Sequence, residues 1–254
     1  MELESLRLTV PEAIDAASAR ALTESIASAA QQGKAPIVLC GREGLFCRGM
    51  DFEQVLAVTA ADPGLGSGDP APWAALDEGV AAFASLLRSI VECPRPIVAQ
   101  IDGAVLGGGV GIAAACDVVV ATRRSTFGLP ETLFGLLPAV VLPVLCLRMP
   151  LQRARLLAMT AYSRTAEEAG ALGLVDVVCA EDKLAGALRR SLRDVSRAQA
   201  DAISALKRFS LEVDARSLAD GLAHGVRETS ARLRQPEILS AVREFLREGE
   251  APWA

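Results

Sequence analysis

The stretch that most constrains this fold is residues 98–121, which read VAQIDGAVLGGGVGIAAACDVVVA. An apolar strand leads into three consecutive glycines, an alanine-rich helix follows them, and a second apolar run begins after Asp117. Glycines where a strand meets a helix let the backbone approach a ligand closely, and the first helical turn presents unpaired N–H groups. This arrangement predicts a site for negative charge, either a phosphate or an oxyanion that forms during a reaction.

The spacing of the glycines excludes two phosphate-binding motifs. A dinucleotide-binding turn needs G-x-G-x-x-G with an acidic residue about 20 positions later, and a P-loop closes on Gly-Lys-Ser/Thr. The glycines at 107–109 fit neither pattern, because no lysine follows them and the spacing differs. On the glycines alone two interpretations stay open: an oxyanion site, or small residues that let a helix pack closely on a strand.

Composition limits the class of protein. The chain has 254 residues, of which 51% are hydrophobic and only 4% aromatic, so we expect helices packed around a sheet and not an all-β sandwich. The net charge of −5 offers no basic surface for nucleic acid. Neither a signal-peptide pattern nor an apolar run of membrane-spanning length is present, so we expect a cytoplasmic protein without a membrane partner. The six cysteines lack metal-site spacing, so we expect free thiols and no metal.

Strands and helices alternate up to about residue 181, and the pattern is helical from there on. Helices are predicted at residues 11–32, 74–91, 151–159 and 165–171, and strands at residues 6–10, 37–40, 97–101, 118–121 and 173–178. The Gly- and Pro-rich residues 60–72 predict a mobile surface loop. We therefore expect an α/β core in residues 1–181 and a helical region in residues 182–254, whose spare apolar faces favour an oligomer.

Five motifs occur in an order that resembles the crotonase (enoyl-CoA hydratase/isomerase) superfamily. They lie at residues 46–51 (FCRGMD), 101–117 (IDG, GGG and CD), 127–138 (FGLPE and FGLLP), 169–176 (ending GLVD) and 252–253 (PW). Together they cover nearly the whole chain. The resemblance implies an α/β crotonase fold, with a ββα spiral core and a helical C-terminal trimerisation region.

The same resemblance implies an active site. In this superfamily two backbone N–H groups hold a thioester carbonyl that becomes an enolate, and the motifs assign them to Met50 and Gly108. Hydratases of the superfamily place glutamates at two positions, of which Glu131 is retained and the other is Gly111. A single carboxylate can take a proton from carbon 2 and deliver it to a departing hydroxyl. The substrate contacts implied by the motifs are Arg48, Gly107, Gly111 and Leu136.

A narrower resemblance points to one reaction. Residues 46–52, 108–111 and 133–143 look like the dehydratase of polyketide β-branching, the first enoyl-CoA-hydratase-like enzyme of such cassettes. It implies conversion of 3-hydroxy-3-methylglutaryl-acyl carrier protein to 3-methylglutaconyl-acyl carrier protein. The implied partners are an acyl carrier protein and further copies of this chain, as a homotrimer or a dimer of trimers. No cofactor is implied beyond the phosphopantetheine or CoA that carries the substrate.

Three alternatives stay open: an isomerase or hydratase of CoA esters, the decarboxylating relative of the β-branching pathway, and a silent carrier-protein-binding subunit. Decarboxylating relatives use a lysine and a histidine. No lysine lies between Lys34 and Lys183, and His224 is expected on a surface or interface, so dehydration is favoured. The sequence pairs no histidine with Cys47 or Cys116, which argues against a thiol nucleophile.

The free carboxylate of a glutaryl substrate needs a cation or hydrogen-bond donors. The candidates are Arg42, Arg48 and Lys207, with a solvated surface role as the alternative for each. Two aspartates are expected to have structural roles. Asp51 is expected to cap a helix that opens at Phe52, and Asp117 to accept backbone hydrogen bonds.

Overall fold

The computed structural model describes residues 5–53, 55–56, 71–213 and 218–248. The strands are β1 Leu6–Thr9, β2 Ile37–Cys40, β3 Gly44–Cys47, β4 Ile97–Ile101, β5 Gly103–Leu106, β6 Val118–Thr122, β7 Thr126–Gly128, β8 Arg164–Thr165 and β9 Val177–Cys179. The α-helices are α1 Ala16–Gln31, α2 Ala71–Glu92, α3 Gly108–Ala115, α4 Val141–Leu145, α5 Leu151–Thr160, α6 Ala166–Leu172, α7 Leu184–Val195, α8 Ala200–Val213, α9 Leu218–Leu233 and α10 Pro236–Glu248. Two short 3-10 helices span Pro130–Phe134 and Glu181–Lys183.

The strands form two sheets joined by a repeated strand–strand–helix unit. The larger sheet has the order β1-β2-β4-β6-β9 and is parallel throughout. The smaller sheet has the order β3-β5-β7-β8, and only the β7–β8 pair is antiparallel. In successive units β2 and β3, β4 and β5, and β6 and β7 each place one strand in the larger sheet and the next in the smaller. This is the α/β spiral that the motifs imply.

The sequence predicted the first strand of each unit better than the second. The apolar runs at residues 37–40 and 97–101 form β2 and β4 with the predicted bounds. The three- and four-residue strands β7 and β5 were missed, because their glycines and short length leave no readable alternation. Asp102 separates β4 from β5 and is fixed by the side chains of Thr122 and Arg124.

The first helix begins five residues later than predicted. α1 starts at Ala16, after Asp15, whose carboxylate accepts the N–H of Ser18 in a capping box. The preceding residues are used elsewhere: the Ile14 N–H donates to the Gly49 carbonyl at 2.7 Å, and the Ile14 carbonyl accepts from Asp51 at 3.0 Å. The predicted start at Pro11 was therefore wrong, because pairing with residues 48–51 replaces the first helical turn.

The C-terminal helices pack onto the spiral. The last two, α9 and α10, add Leu222, Leu233, Leu239 and Val242 to the main core, whereas α7 covers the opposite face of the larger sheet. The division at residues 181/182 remains a prediction, and the helices after it share the core of the part before it. The loop predicted at residues 60–72 lies outside the described residues, except for the first turn of α2 at Ala71. In the described part of the chain, no helix is long and apolar enough to cross a membrane.

Candidate active site

Two backbone segments meet without intervening side chains at the start of α3. Gly49 has a φ of +85°, and a Cβ built on it would lie 2.6 Å from the Gly108 nitrogen and 3.0 Å from the Leu106 oxygen. Gly107, the N-cap residue of α3, has a φ of +51°. Glycine is favoured at both positions because a side chain would be strained by the backbone and, at Gly49, would also collide. The turn at residues 48–50 therefore packs directly against the N-terminus of α3.

This packing brings two backbone N–H groups to one cavity. Ile14 forms an isolated parallel bridge with Met50, in which it bonds to Gly49 and Asp51 on either side. In such a bridge the N–H of the middle residue points away from its partner. The N–H of Gly108 lies in the first turn of α3, where helical partners are missing. Outside the helices and strands, neither N–H donates a hydrogen bond to the backbone of a described residue. Both are therefore able to donate to an oxyanion in the cavity.

Glu131 faces the same place from the 3-10 helix Pro130–Phe134. Its Oε1 lies 3.3 Å from where a Cβ on Gly107 would be. Its Oε2 is fully buried and accepts no hydrogen bond from the described residues. Burial raises the pKa of this carboxyl from 4.5 to about 7, and a hydrogen bond from its own backbone opposes the rise only in part. Glu131 can therefore take up and release a proton near neutral pH.

Aromatic packing holds the segment that carries Glu131. Pro130 opens the 3-10 helix, where its fixed φ suits the first turn, and Gly135 ends it with a φ of +76°. The ring of Phe134 is buried with its centroid 5.4 Å from that of Phe52 and 5.0 Å from that of Phe245. Phe245 lies on α10, so the end of the described chain supports the backbone of the candidate acid.

The cavity around these groups has a volume of about 230 Å³. Most of its wall is apolar, and includes Val80, Phe83, Leu136, Val140 and Val141. Three other carboxylates reach it, and each has a partner: Asp15 accepts the Ser18 N–H, Asp51 accepts the Glu53 N–H, and Glu78 pairs with Arg20. Residues 52–53 and 55–56 are helical, and the bond from Glu53 is the one expected of Asp51 as their N-cap. Among the four, the carboxylate with a buried oxygen that lacks a partner is Glu131.

Arg48 is the cation among the residues that line the cavity. Its side chain is exposed and makes no salt bridge or hydrogen bond with the described residues. Arg42 instead lies 3.6 Å from a Glu12 oxygen on the surface.

Lys207 is neither in this cavity nor freely solvated, so both interpretations of it were wrong. Its side chain is 12% exposed, and its Nζ lies 2.6 Å from Asp117 Oδ2 and 3.2 Å from the Arg95 carbonyl oxygen. Asp117 also accepts the N–H of Ile97, which confirms its predicted backbone hydrogen bond.

Six of the seven site residues implied by the motifs line the cavity: Arg48, Met50, Gly107, Gly108, Glu131 and Leu136. Gly111 is not among the lining residues. A Cβ built there would lie 3.1 Å from Val141 Cγ2 and 3.4 Å from Leu87 Cδ1, so this glycine lets α3 pack closely on α4 and α2. Position 111 thus faces packed helices, and the substrate contact implied for Gly111 is not found at this cavity.

The sequence reasoning missed Thr229, which lines the cavity from α9. It lies 98 positions after Glu131, and no local pattern links the two. His224 on the same helix is exposed, as expected. Cys47 and Cys116 are not activated as nucleophiles, because burial raises the pKa of Cys47 to about 11 and also raises that of Cys116.

Comparison with known proteins identifies the family to which this site and fold belong. The model of the enoyl-CoA hydratase/isomerase family matches residues 3–254, and the chain belongs to that family, whose fold is the crotonase fold. Bacillaene synthase dehydratase PksH of Bacillus subtilis is 26% identical over 220 residues, which cover 85% of this chain and 78% of PksH. Enoyl-CoA hydratase ACTT6 of Alternaria alternata is 31% identical over 166 residues, and the match spans 49% of that protein.

Solved structures agree on the fold. The crystal structure of the pksH protein of Bacillus subtilis superposes with a TM-score of 0.85 at 22% identity, covering 99% of this chain and 97% of that one. Pseudomonas aeruginosa AtuE gives a TM-score of 0.74 at 31% identity, covering 98% of this chain and 95% of that one.

Proposed function

We propose that this chain is a dehydratase that acts on 3-hydroxy-3-methylglutaryl-acyl carrier protein and forms 3-methylglutaconyl-acyl carrier protein. The observation that carries the proposal is the arrangement of three groups at one cavity. The Glu131 carboxylate has one oxygen without a hydrogen-bond partner among the described residues, and the backbone N–H groups of Met50 and Gly108 lie at the same cavity. Gly111 stands where hydratases of the superfamily have a second glutamate. The relative PksH, a bacillaene synthase dehydratase, supports the same reaction class.

The first step is removal of a proton from carbon 2. The thioester oxygen accepts hydrogen bonds from the N–H groups of Met50 and Gly108, which stabilise the negative charge that develops on it. Glu131, as a carboxylate, takes the proton, and the electrons of the C–H bond pass into the enolate. A pKa near 7 makes Glu131 a stronger base than an ordinary carboxylate.

The second step expels the hydroxyl group. The enolate collapses to form the double bond between carbons 2 and 3, the bond from carbon 3 to oxygen breaks, and Glu131 returns its proton to the leaving oxygen as water. Glu131 ends the cycle as it began, so one residue is both base and acid. We assign Arg48 to the free carboxylate of the glutaryl group, because it is the cation at this cavity and has no partner among the described side chains.

The proposed partners are an acyl carrier protein, which presents the substrate on phosphopantetheine, and further copies of this chain. We propose a cytoplasmic homotrimer, or a dimer of trimers. Large side chains with apolar surface are exposed on α5 and just after it, at Leu151, Leu156, Met159 and Tyr162. This exposure supports an assembly in which the surface is covered.

Intact-protein mass spectrometry of the acylated carrier protein tests the reaction. Incubation with this protein is expected to remove the mass of one water, with a rate that rises with pH to a plateau above about pH 7. Glu131→Gln is expected to lower that rate at least about 10²-fold, because the acid–base group is lost. Glu78→Gln is the matched control, since Glu78 also lines the cavity but is paired with Arg20. Full turnover by Glu131→Gln would refute the assigned role.

A second candidate is an isomerase or hydratase of enoyl-CoA esters. It is favoured by the apolar cavity wall and by the family to which the chain belongs. Crotonyl-CoA and the carrier-bound hydroxymethylglutaryl group should be compared under the same conditions. Faster turnover of crotonyl-CoA would replace the proposed dehydration with this candidate.

A further inference from the structure

One face of α9 packs along residues 135–143, which come soon after Glu131 in the chain. Gly221, Gly225, Thr229 and Arg232 are spaced by three or four residues and therefore share a face of the helix. A Cβ on Gly221 would lie 3.0 Å from Pro143, and one on Gly225 would collide with the Ala139 carbonyl. Arg232 Nη1 donates to the carbonyl of Gly135 at 3.3 Å. The two glycines thus let the helix approach closely, and Thr229 lies between the last two contacts.

Thr229 is a largely buried residue on the cavity wall, and its hydroxyl hydrogen-bonds none of the described residues. Thr229 is 7% exposed and lines the cavity. The hydroxyls of Thr23, Thr160 and Ser210 each donate to the carbonyl four residues earlier in their helices. Thr229 makes no such bond, nor any other side-chain hydrogen bond with the described residues. The hydroxyl of its neighbour Ser230 is buried without a partner in the described part of the chain, and Ser230 does not line the cavity.

A hydroxyl that makes no hydrogen bond with the protein keeps its O–H donor and its oxygen acceptor available to a ligand in the cavity. The neighbouring wall is apolar and includes Leu136 and Val140. In the proposed mechanism the backbone N–H groups bind the thioester oxygen, and Glu131 removes the proton from carbon 2. The ligand group left for a hydroxyl on this wall is an oxygen further along the acyl chain.

We propose that Thr229 hydrogen-bonds an oxygen substituent of the acyl group, and so selects 3-hydroxyacyl thioesters over unsubstituted ones. The proposal deepens the dehydratase assignment and rests on it for the identity of the site. The reacting hydroxyl on carbon 3 is the substituent that a dehydratase must recognise. A residue on α9 then determines specificity, although it takes no part in the acid–base step.

Binding in the Glu131→Gln background, where turnover is blocked, tests the proposal. The probes are 3-hydroxybutyryl-CoA and butyryl-CoA, which differ by one hydroxyl, and their Kd values are measured by isothermal titration calorimetry. Adding Thr229→Val is expected to weaken binding of the hydroxylated ester about 3- to 10-fold and to leave butyryl-CoA unchanged. Adding Thr229→Ser instead is expected to keep the preference, because it keeps the hydroxyl.

Ser230→Ala is the matched control, since it removes the adjacent buried hydroxyl that does not line the cavity, and it should not alter the ratio of Kd values. Equal weakening of both esters by Thr229→Val, no weakening of either, or no binding of the hydroxylated ester would overturn the proposal. Because the comparison needs no turnover, its result is separate from the dehydration assay. Selective binding without dehydration by the wild-type protein would overturn the dehydratase assignment and leave the role of Thr229 standing.

Discussion

Glu131 is a residue whose environment favours reactivity over stability. Its folded-state pKa is about 7 against an ordinary 4.5, so between these values the folded protein binds more protons than the unfolded chain. The free energy of unfolding therefore falls as pH rises through this window, and the loss is complete above about pH 7. The full difference corresponds to roughly 3 kcal/mol, as an upper estimate.

Glu131→Gln is accordingly expected to stabilise the fold while it lowers the rate of the proposed dehydration. Its melting temperature should exceed that of the wild-type protein by several degrees at about pH 8, and by much less at about pH 5. Differential scanning calorimetry at both pH values measures the difference. A gain that is equal at the two pH values would show that the charge of Glu131 is not its cause.

Gly49 is the second residue whose replacement separates catalysis from folding. In Gly49→Ala the new Cβ meets the Gly108 nitrogen and displaces one proposed oxyanion donor. We expect a fall in kcat of about 10²–10³, the effect of losing one such donor. Gly44→Ala is the control, because Gly44 has a comparable φ of +78° but no atoms within 4 Å of the new Cβ. It should lower the melting temperature by a similar backbone strain and leave kcat intact, and full kcat in Gly49→Ala would contradict the assignment.

At the scale of the element, α10 packs through Phe245 against the segment that carries Glu131. Phe245→Ala removes the ring against Phe134 and is expected to destabilise the fold by about 2 kcal/mol, since Phe245 is only partly buried. It should also lower kcat/KM about tenfold, because small displacements of an acid–base group are costly. Leu246→Ala, at the next and exposed position, should change both by little. Thermal melts and steady-state rates of the two variants check this, and equal effects would contradict it.

The sequence predicted elements well where the periodic signal was local. The glycines at 107–109 and the apolar run of β4 were sufficient to predict a strand, a turn and a helix with free N–H groups. The start of α1 was predicted wrongly because Ile14 pairs with residues far along the chain, and local helical periodicity cannot show this. Thr229 was missed for the same reason, since its place in the cavity depends on how α9 packs against residues 135–143.

At the scale of the whole molecule, the exposed apolar surface on and after α5 predicts an assembly. Met159 is 70% exposed and Tyr162 is 71% exposed. Sedimentation equilibrium is expected to give the mass of three or six copies for the wild-type protein. Met159→Asp should reduce that mass, because a charge placed in an apolar interface is costly to bury. Ala27→Asp adds the same charge at an exposed position of α1 and should leave the mass unchanged, and a monomeric wild-type protein would contradict the assembly.

The packing of α9 and α10 on the Glu131 segment has a consequence for synthesis. The ribosome makes the candidate acid and both proposed oxyanion amides before it makes α9, which lines the cavity, and α10, which supports the Glu131 segment. A nascent or truncated product that ends before Leu218 lacks Thr229 and Phe245. We therefore expect such a fragment to lack both the proposed selectivity of Thr229 and the packing of Phe245 on the segment that carries Glu131.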